Sequence, residues 1–177
     1  MNVLSPPQVP MLFVEIDGVV RRSAEDLGRP LRGPLDIELH LDAVERMRLW
    51  KAAGGRIVGF THQPGIALGE VTEDMVVRAN WTVHERAGNV FDTVVYCPHH
   101  PDAAMPDLSR CWCRPPLPGL LIAGQEQVAL RQRERYPIWM ALVVGLSPAV
   151  RECAEQLGID HVDGVRWRRD GGEASGA

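Results

Sequence analysis

Apolar positions along this chain alternate between short continuous runs and stretches where they recur every three or four residues. The run MLFVEI, residues 11–16, ends in acids and fits a buried strand. Residues 18–40 follow no period and hold Gly18, Gly28, Pro30, Gly33 and Pro34, so a long irregular excursion is expected there. Asp42 is placed to cap a helix, with Glu45 as its capping-box partner and Val44, Met47 and Trp50 on one face. Gly54-Gly55 ends that helix, and residues 56–60 form a second strand. A helix begins at Thr72, where Glu73 and Asp74 suit its positive end, and stops near Gly88. Residues 91–96 give a third strand, residues 118–136 a helix, and residues 138–144 a strongly apolar fourth strand. Ser147-Pro148 reads as N-cap and N1 of a helix that runs to Gly158, and a last short strand includes His161 and Val162.

Strands that alternate with helices predict an α/β fold, a mainly parallel sheet with helices on both faces. Such sheets bind ligands at the carboxyl ends of their strands. That places Glu15, Asp17, Thr61, His62 and the loop after Gly145 around one crevice.

The chain has 177 residues, enough for one domain with a core and too few for two comfortable ones. Residues 1–10 hold three prolines and are expected to run extended, residues 11–169 to form the domain, and residues 170–177 to be a disordered tail. The net charge of −4 gives no bulk attraction to nucleic acid or to an anionic membrane, so neither is expected as a partner. No run of eighteen apolar residues suggests a transmembrane helix, and the N-terminus lacks the basic and apolar regions of a signal peptide. A cytoplasmic location is the default.

Three of the four cysteines fall within seventeen residues and share that stretch with histidines. Cys97-Pro-His99, eleven residues, then Cys111-Trp-Cys113 supplies three thiolates and one imidazole, a closed tetrahedral set for zinc. A closed set leaves no open coordination position, so the ion is expected to be structural and to order a loop too polar and proline-rich to fold alone. His100 is adjacent and is the alternative to His99. Cys153 lies in an amphipathic stretch and reads as a small buried hydrophobe. Trp81 and Trp112 are expected to pack against neighbours.

Glu15-Ile-Asp17-Gly18 closes the first strand with two carboxyl groups beside the crevice. Phosphoryl transfer through a carboxylate nucleophile uses such a pair, one acid attacking phosphorus and the other protonating the leaving oxygen. Here the sequence resembles the haloacid dehalogenase (HAD) phosphatases. FVEIDGVV resembles their first motif, GFTHQPGIALG their second, and YCPHHP with CWCRPPLPG the zinc loop and third motif. The combination is typical of the D,D-heptose 1,7-bisphosphate phosphatase and histidinol-phosphate phosphatase group. The resemblance implies a Rossmannoid three-layer sandwich without a large cap domain. It puts Glu15 at the nucleophile, Asp17 at the general acid/base, and Thr61 at the phosphate-holding hydroxyl. Arg114 matches the arginine after the zinc loop, and Cys97, His99, Cys111 and Cys113 match the zinc ligands.

The departures from the family pattern matter as much. Glu15 replaces the nucleophilic aspartate, and the extra methylene moves the carboxylate by about 1 Å, a misplacement that can cost roughly a hundredfold. His62 and Pro64 replace Asn and Ser, and Pro115 and Leu117 stand where the family has lysines. Leu146-Ser147 replaces the Asp-Lys of the fourth motif, so the implied magnesium ligand is missing and magnesium is doubtful. No acid lies between Gly145 and Arg151, and Glu152 falls too far into the helix. Losing one electrostatic donor costs on the order of 10²–10³ in rate.

These losses predict an impaired or inactive phosphatase-like protein that binds a small phosphorylated ligand or a protein partner, in a regulatory or scaffold role. Thr61, His62 and Arg114 are the candidate phosphate-binding residues, with Arg21 and Arg22 as further cations. The alternative is an active phosphomonoester hydrolase on a small sugar phosphate, with Glu15 and Asp17 in the catalytic positions.

Overall fold

The first strand, β1 (Met11–Glu15), alternates its side chains between two apolar layers. Leu12 and Val14 enter one core with Val44, Met47, Val83 and Trp167, while Met11 and Phe13 enter another with Leu121, Val128, Val150 and Cys153. A strand buried on both faces needs apolar residues at every position, which is why this segment reads as a continuous run. Phe13 is fully buried, so truncation to Ala is expected to cost about 3–5 kcal/mol.

The computed structural model describes residues 10–170. Around β1 the chain adds β2 (Arg56–His62), β3 (Thr93–Cys97), β4 (Ala141–Gly145) and β5 (Asp160–Asp163). They form one sheet in the order β3-β2-β1-β4-β5, with all four pairings parallel. The helices are α1 (Ala24–Leu27), α2 (Leu41–Ala52), α3 (Glu73–Arg86), α4 (Pro106–Ser109), α5 (Gly119–Gln132), α6 (Pro148–Leu157) and α7 (Gly164–Asp170). Residues of α2, α3 and α7 fill the first core and those of α5 and α6 the second, giving three layers. No helix among the described residues is long and apolar enough to cross a membrane.

The excursion after β1 stays small. Its two arms bond to each other, Arg22 N–H to the Glu38 carbonyl at 2.8 Å and His40 N–H to the Val20 carbonyl at 2.9 Å. Arg29 ties the far end to Asp36 at 2.5 Å and Glu38 at 3.0 Å. No large cap domain is present among the described residues.

Several boundaries differ from the sequence reading. The second helix starts at Leu41 with His40 as N-cap, and Asp42 instead accepts its neighbour Ala43's N–H at 2.8 Å, so the expected Asp42–Glu45 capping box does not form. The fifth helix ends at Gln132, and a 3-10 turn at Ile138–Met140 precedes β4. Ser147 caps α6 as expected, accepting from the Val150 N–H at 3.2 Å. The last helix, α7, was not expected: its charged stretch is anchored by buried Trp167. Trp81 and Trp112 are largely exposed, Trp112 to 82%, and Trp81 lies against the neighbouring His84 ring with centroids 5.5 Å apart. The extended N-terminal segment and the disordered tail predicted from the sequence lie outside the described residues, apart from Pro10 and Asp170.

Candidate functional site

The connections after β1 and β4 leave to opposite faces, β1 leading to α2 in one layer and β4 directly to α6 in the other. That reversal opens a crevice at the carboxyl ends of the two neighbouring strands. A cavity of about 390 Å³ lies there, lined by Glu15, Phe60, His62, Pro64, Pro115 and Ser147.

Glu15 ends β1 and turns across to β4, where its Oε2 accepts the Leu146 N–H at 2.7 Å. Gly145 leaves room for this: a Cβ there would lie 3.0 Å from Glu15 Oε2 and 2.5 Å from Val150 Cγ1. Burial pushes the Glu15 carboxyl above its ordinary value, against the opposing pull of the Leu146 N–H, and the charge of Asp17 adds to the rise. The Leu146 side chain lies over Gly18, where a Cβ would meet its Cδ1 at 2.7 Å.

Both carboxylate oxygens of Asp17 are engaged. One carboxylate oxygen takes the Arg21 guanidinium, and the other accepts the Thr61 hydroxyl and, at 2.8 Å, the Gln63 amide. Gln63 Nε2 is also 2.7 Å from Thr61 Oγ1. Thr61, at the end of β2, is fully buried. Arg21 therefore belongs to Asp17, while Arg22 turns away to Glu38 at 3.6 Å. Gln63 and the Leu146 amide were missed from sequence. Gln63 had a signal, since residues 61 and 63 share one side of an extended chain. The amide had none.

His62 lines the crevice and donates from Nε2 to the His99 carbonyl at 3.0 Å. Arg114 directs its backbone N–H to Cys111 Sγ at 3.3 Å. Its Nη1 is buried with no hydrogen-bond partner, and the next residue, Pro115, lines the crevice.

Cys97, His99, Cys111 and Cys113 converge, with one ligand atom from each within 4.8 Å of the others. Cys97 Sγ is 3.8 Å from Cys111 Sγ and 3.5 Å from His99 Nδ1, and Cys113 Sγ is 3.3 Å from that nitrogen. A tetrahedral ion with Zn–S of about 2.3 Å and Zn–N of about 2.0–2.1 Å requires S···S edges of about 3.8 Å and N···S edges of about 3.5 Å. The cluster therefore fits a tetrahedral metal, and these four residues could hold one. Hydrogen bonding with Cys97 is the main influence lowering the Cys113 thiol from its ordinary value. His100 stands outside the set, its Nδ1 accepting the Asp102 N–H at 3.1 Å. Cys153 is buried, as expected, and burial pushes its thiol up to about 11.

Magnesium is a different case. It demands an octahedral shell of oxygens, with carboxylates among them. Here Glu15 is engaged by an amide, Asp17 by three donors, and the third position is Leu146. The residues present do not fit that ion.

No protein-family model matches the sequence. A D-glycero-beta-D-manno-heptose-1,7-bisphosphate 7-phosphatase of Yersinia pestis is 31% identical over 136 residues, covering 73% of this chain and 69% of that enzyme. The chain belongs to the heptose-bisphosphate phosphatase family of HAD-like phosphatases. The corresponding enzyme of Escherichia coli K12 is 28% identical over 136 residues, 73% of this chain and 68% of its own length. Among solved structures, a HAD-like phosphatase of Mesorhizobium loti superposes with a TM-score of 0.69 at 26% identity, covering 87% of this chain and 71% of that one. A D,D-heptose 1,7-bisphosphate phosphatase from B. bronchiseptica, solved with magnesium and phosphate, has the same fold, with a TM-score of 0.66 at 22% identity over 86% of this chain and 79% of that one. Within this heptose-bisphosphate phosphatase fold, the two acids of the present chain are both held by internal donors.

Proposed function

We propose that this chain is a non-hydrolytic member of the heptose-bisphosphate phosphatase family that binds a phosphorylated small molecule, such as a sugar bisphosphate, without cleaving it. The observation that carries this reading is the engagement of both acids: Glu15 on the Leu146 amide, and Asp17 by Arg21, Thr61 and Gln63. A nucleophile and an acid must offer a free lone pair and a transferable proton at the reacting atoms. Here Glu15 Oε2 and both Asp17 oxygens already accept from protein donors, and lysine is absent from the positions of Pro115 and Leu117. Binding is supported by Arg114 Nη1, a buried donor without a partner, whose desolvation an anion in the crevice would offset. His62 lines the crevice and, protonated, would add a further donor, while the Thr61 hydroxyl is held by Asp17.

In this reading the metal of the cysteine loop is zinc and is structural, with Cys97, His99, Cys111 and Cys113 filling a closed set. The free thiols fit a reducing, cytoplasmic compartment. A ligand-bound crevice would then be read by a protein partner, in a regulatory or scaffold role; nucleic acid and membrane are not partners in this reading.

The test is hydrolysis of a panel of phosphomonoesters, heptose 1,7-bisphosphate among them, by the zinc-loaded protein with magnesium. The same panel is run on the Glu15→Ala, Asp17→Ala double variant. Equal background in both supports the reading. Turnover that disappears in the variant would establish Glu15 and Asp17 as catalytic, the alternative reading of the family resemblance.

A further inference from the structure

We infer that Arg21 is a tethered cation that takes the place of a divalent metal beside Asp17, making this acidic strand end independent of magnesium. The inference rests on the reading that Asp17 is held by internal donors, and it goes further by naming the residue that decides the site's response to metal.

The backbone fixes Arg21. Its N–H donates to the Ile16 carbonyl at 2.8 Å, and its carbonyl accepts the Gly18 N–H at 2.8 Å. Gly18 has φ +82°, a left-handed conformation that glycine adopts without cost. Arg21 also bridges to Leu39 in the returning arm of the excursion. The turn at residues 16–21 thus brings the guanidinium onto Asp17 four residues back. There the Arg21 side chain is only 16% exposed, against 37% for Asp17. Arg22 is bonded elsewhere, to Glu38 and, at 2.5 Å, to the Asp26 carbonyl, so the direction of Arg21 is specific to it.

Two adjacent carboxylates at a strand end need a counter-charge. A divalent ion would supply it from solution, and Arg21 supplies it from the chain. A guanidinium offers directed N–H donors and keeps its charge at all working pH values, but it accepts nothing and gives no open coordination position. It can therefore hold Asp17 in place and cannot present a phosphate oxygen to an attacking group. The loss of an acid at Leu146 and the presence of Arg21 are separate obstacles to magnesium. Restoring the acid alone leaves a fixed positive charge beside the site.

The experiment measures magnesium binding by calorimetry to the full-length, zinc-loaded protein and to three variants: Leu146→Asp, Arg21→Met, and the two combined. Met keeps an apolar stem and removes the charge. Zinc content and a thermal melt of each variant confirm that it is folded. The wild type and Leu146→Asp are expected to show no specific magnesium binding at millimolar concentration. The double variant is expected to bind at least about tenfold more tightly than Leu146→Asp, the scale of removing a unit charge about 5 Å from a divalent ion even at the dielectric constant of water. Equal affinity of Leu146→Asp and the double variant would overturn the inference, as would specific magnesium binding by the wild type. If the double variant does not fold, Arg21→Gln in the Leu146→Asp background makes the same comparison. Hydrolysis by the wild type would refute the non-hydrolytic reading and leave this titration to report on Arg21 independently.

Discussion

Replacing Asp17 distinguishes a structural acid from a catalytic one. Asp17 accepts one ion pair and two further hydrogen bonds, at an intermediate depth where the side chains of the pair are 16% and 37% exposed. A hydrogen bond to a charged group contributes about 1.5–3 kcal/mol when buried, and partial exposure reduces the ion-pair share. In Asp17→Asn the amide oxygen can still accept from Thr61 or Gln63, while its NH₂ meets the Arg21 guanidinium. The expected loss is about 2 kcal/mol, which for a chain of this length lowers the melting temperature by about 4–8 °C. Arg21→Met should lose a similar amount. Because the two residues are in contact, the double variant should lose clearly less than the sum of the singles. The assay is thermal unfolding at neutral pH, followed by circular dichroism, for the four proteins of the cycle. An acid kept for catalysis would give the opposite result, since active-site acids are commonly held at some expense of stability. An Asp17→Asn protein that melts within about a degree of wild type, or above it, would refute the reasoning.

Three other perturbations follow from the structure. Burial raises the Glu15 carboxyl, so the folded protein favours its neutral form: that stability is full below pH 4.5 and is lost as pH rises through the higher folded value. Glu15→Gln keeps an acceptor for the Leu146 amide, so it should melt above wild type at pH 7, with the two curves converging below pH 4.5 in a pH series of melts. Asp92 is almost wholly buried and holds Lys51 at 2.8 Å and the Ile57 N–H at 2.7 Å; Asp92→Ala should cost about 3 kcal/mol in a urea titration, because it strands both donors. Removing the loop metal with a chelator should make the thiols of Cys97, Cys111 and Cys113 reactive to a thiol reagent while Cys153 stays protected, and metal analysis should find one ion per chain before treatment.

Much of this architecture was legible because its signals are local. Buried parallel strands announce themselves as apolar runs, and Ser147-Pro148 carries its own capping chemistry. The four side chains that could hold a metal were legible from residue type and spacing, and of His99 and His100 only His99 joins their cluster, through the way the loop turns each ring. The start of α2 was misread because Asp42 serves the neighbouring amide and not one further along the helix. The last helix was missed because its stability comes from one distant burial, Trp167 against the core of α2 and β1, and its remaining residues look like a solvated tail. The pairing of Arg21 with Asp17 needed the tight turn after Gly18, which sequence spacing alone does not distinguish from an open loop. The Leu146 amide is invisible to any reading of side chains.

The most direct test of the account is a phosphorus NMR spectrum of heptose 1,7-bisphosphate with stoichiometric zinc-loaded protein and magnesium, followed over hours. The account predicts that the substrate resonances shift or broaden on binding and that inorganic phosphate does not grow beyond the protein-free control. A growing inorganic phosphate signal that is absent with the Glu15→Ala, Asp17→Ala variant would contradict it.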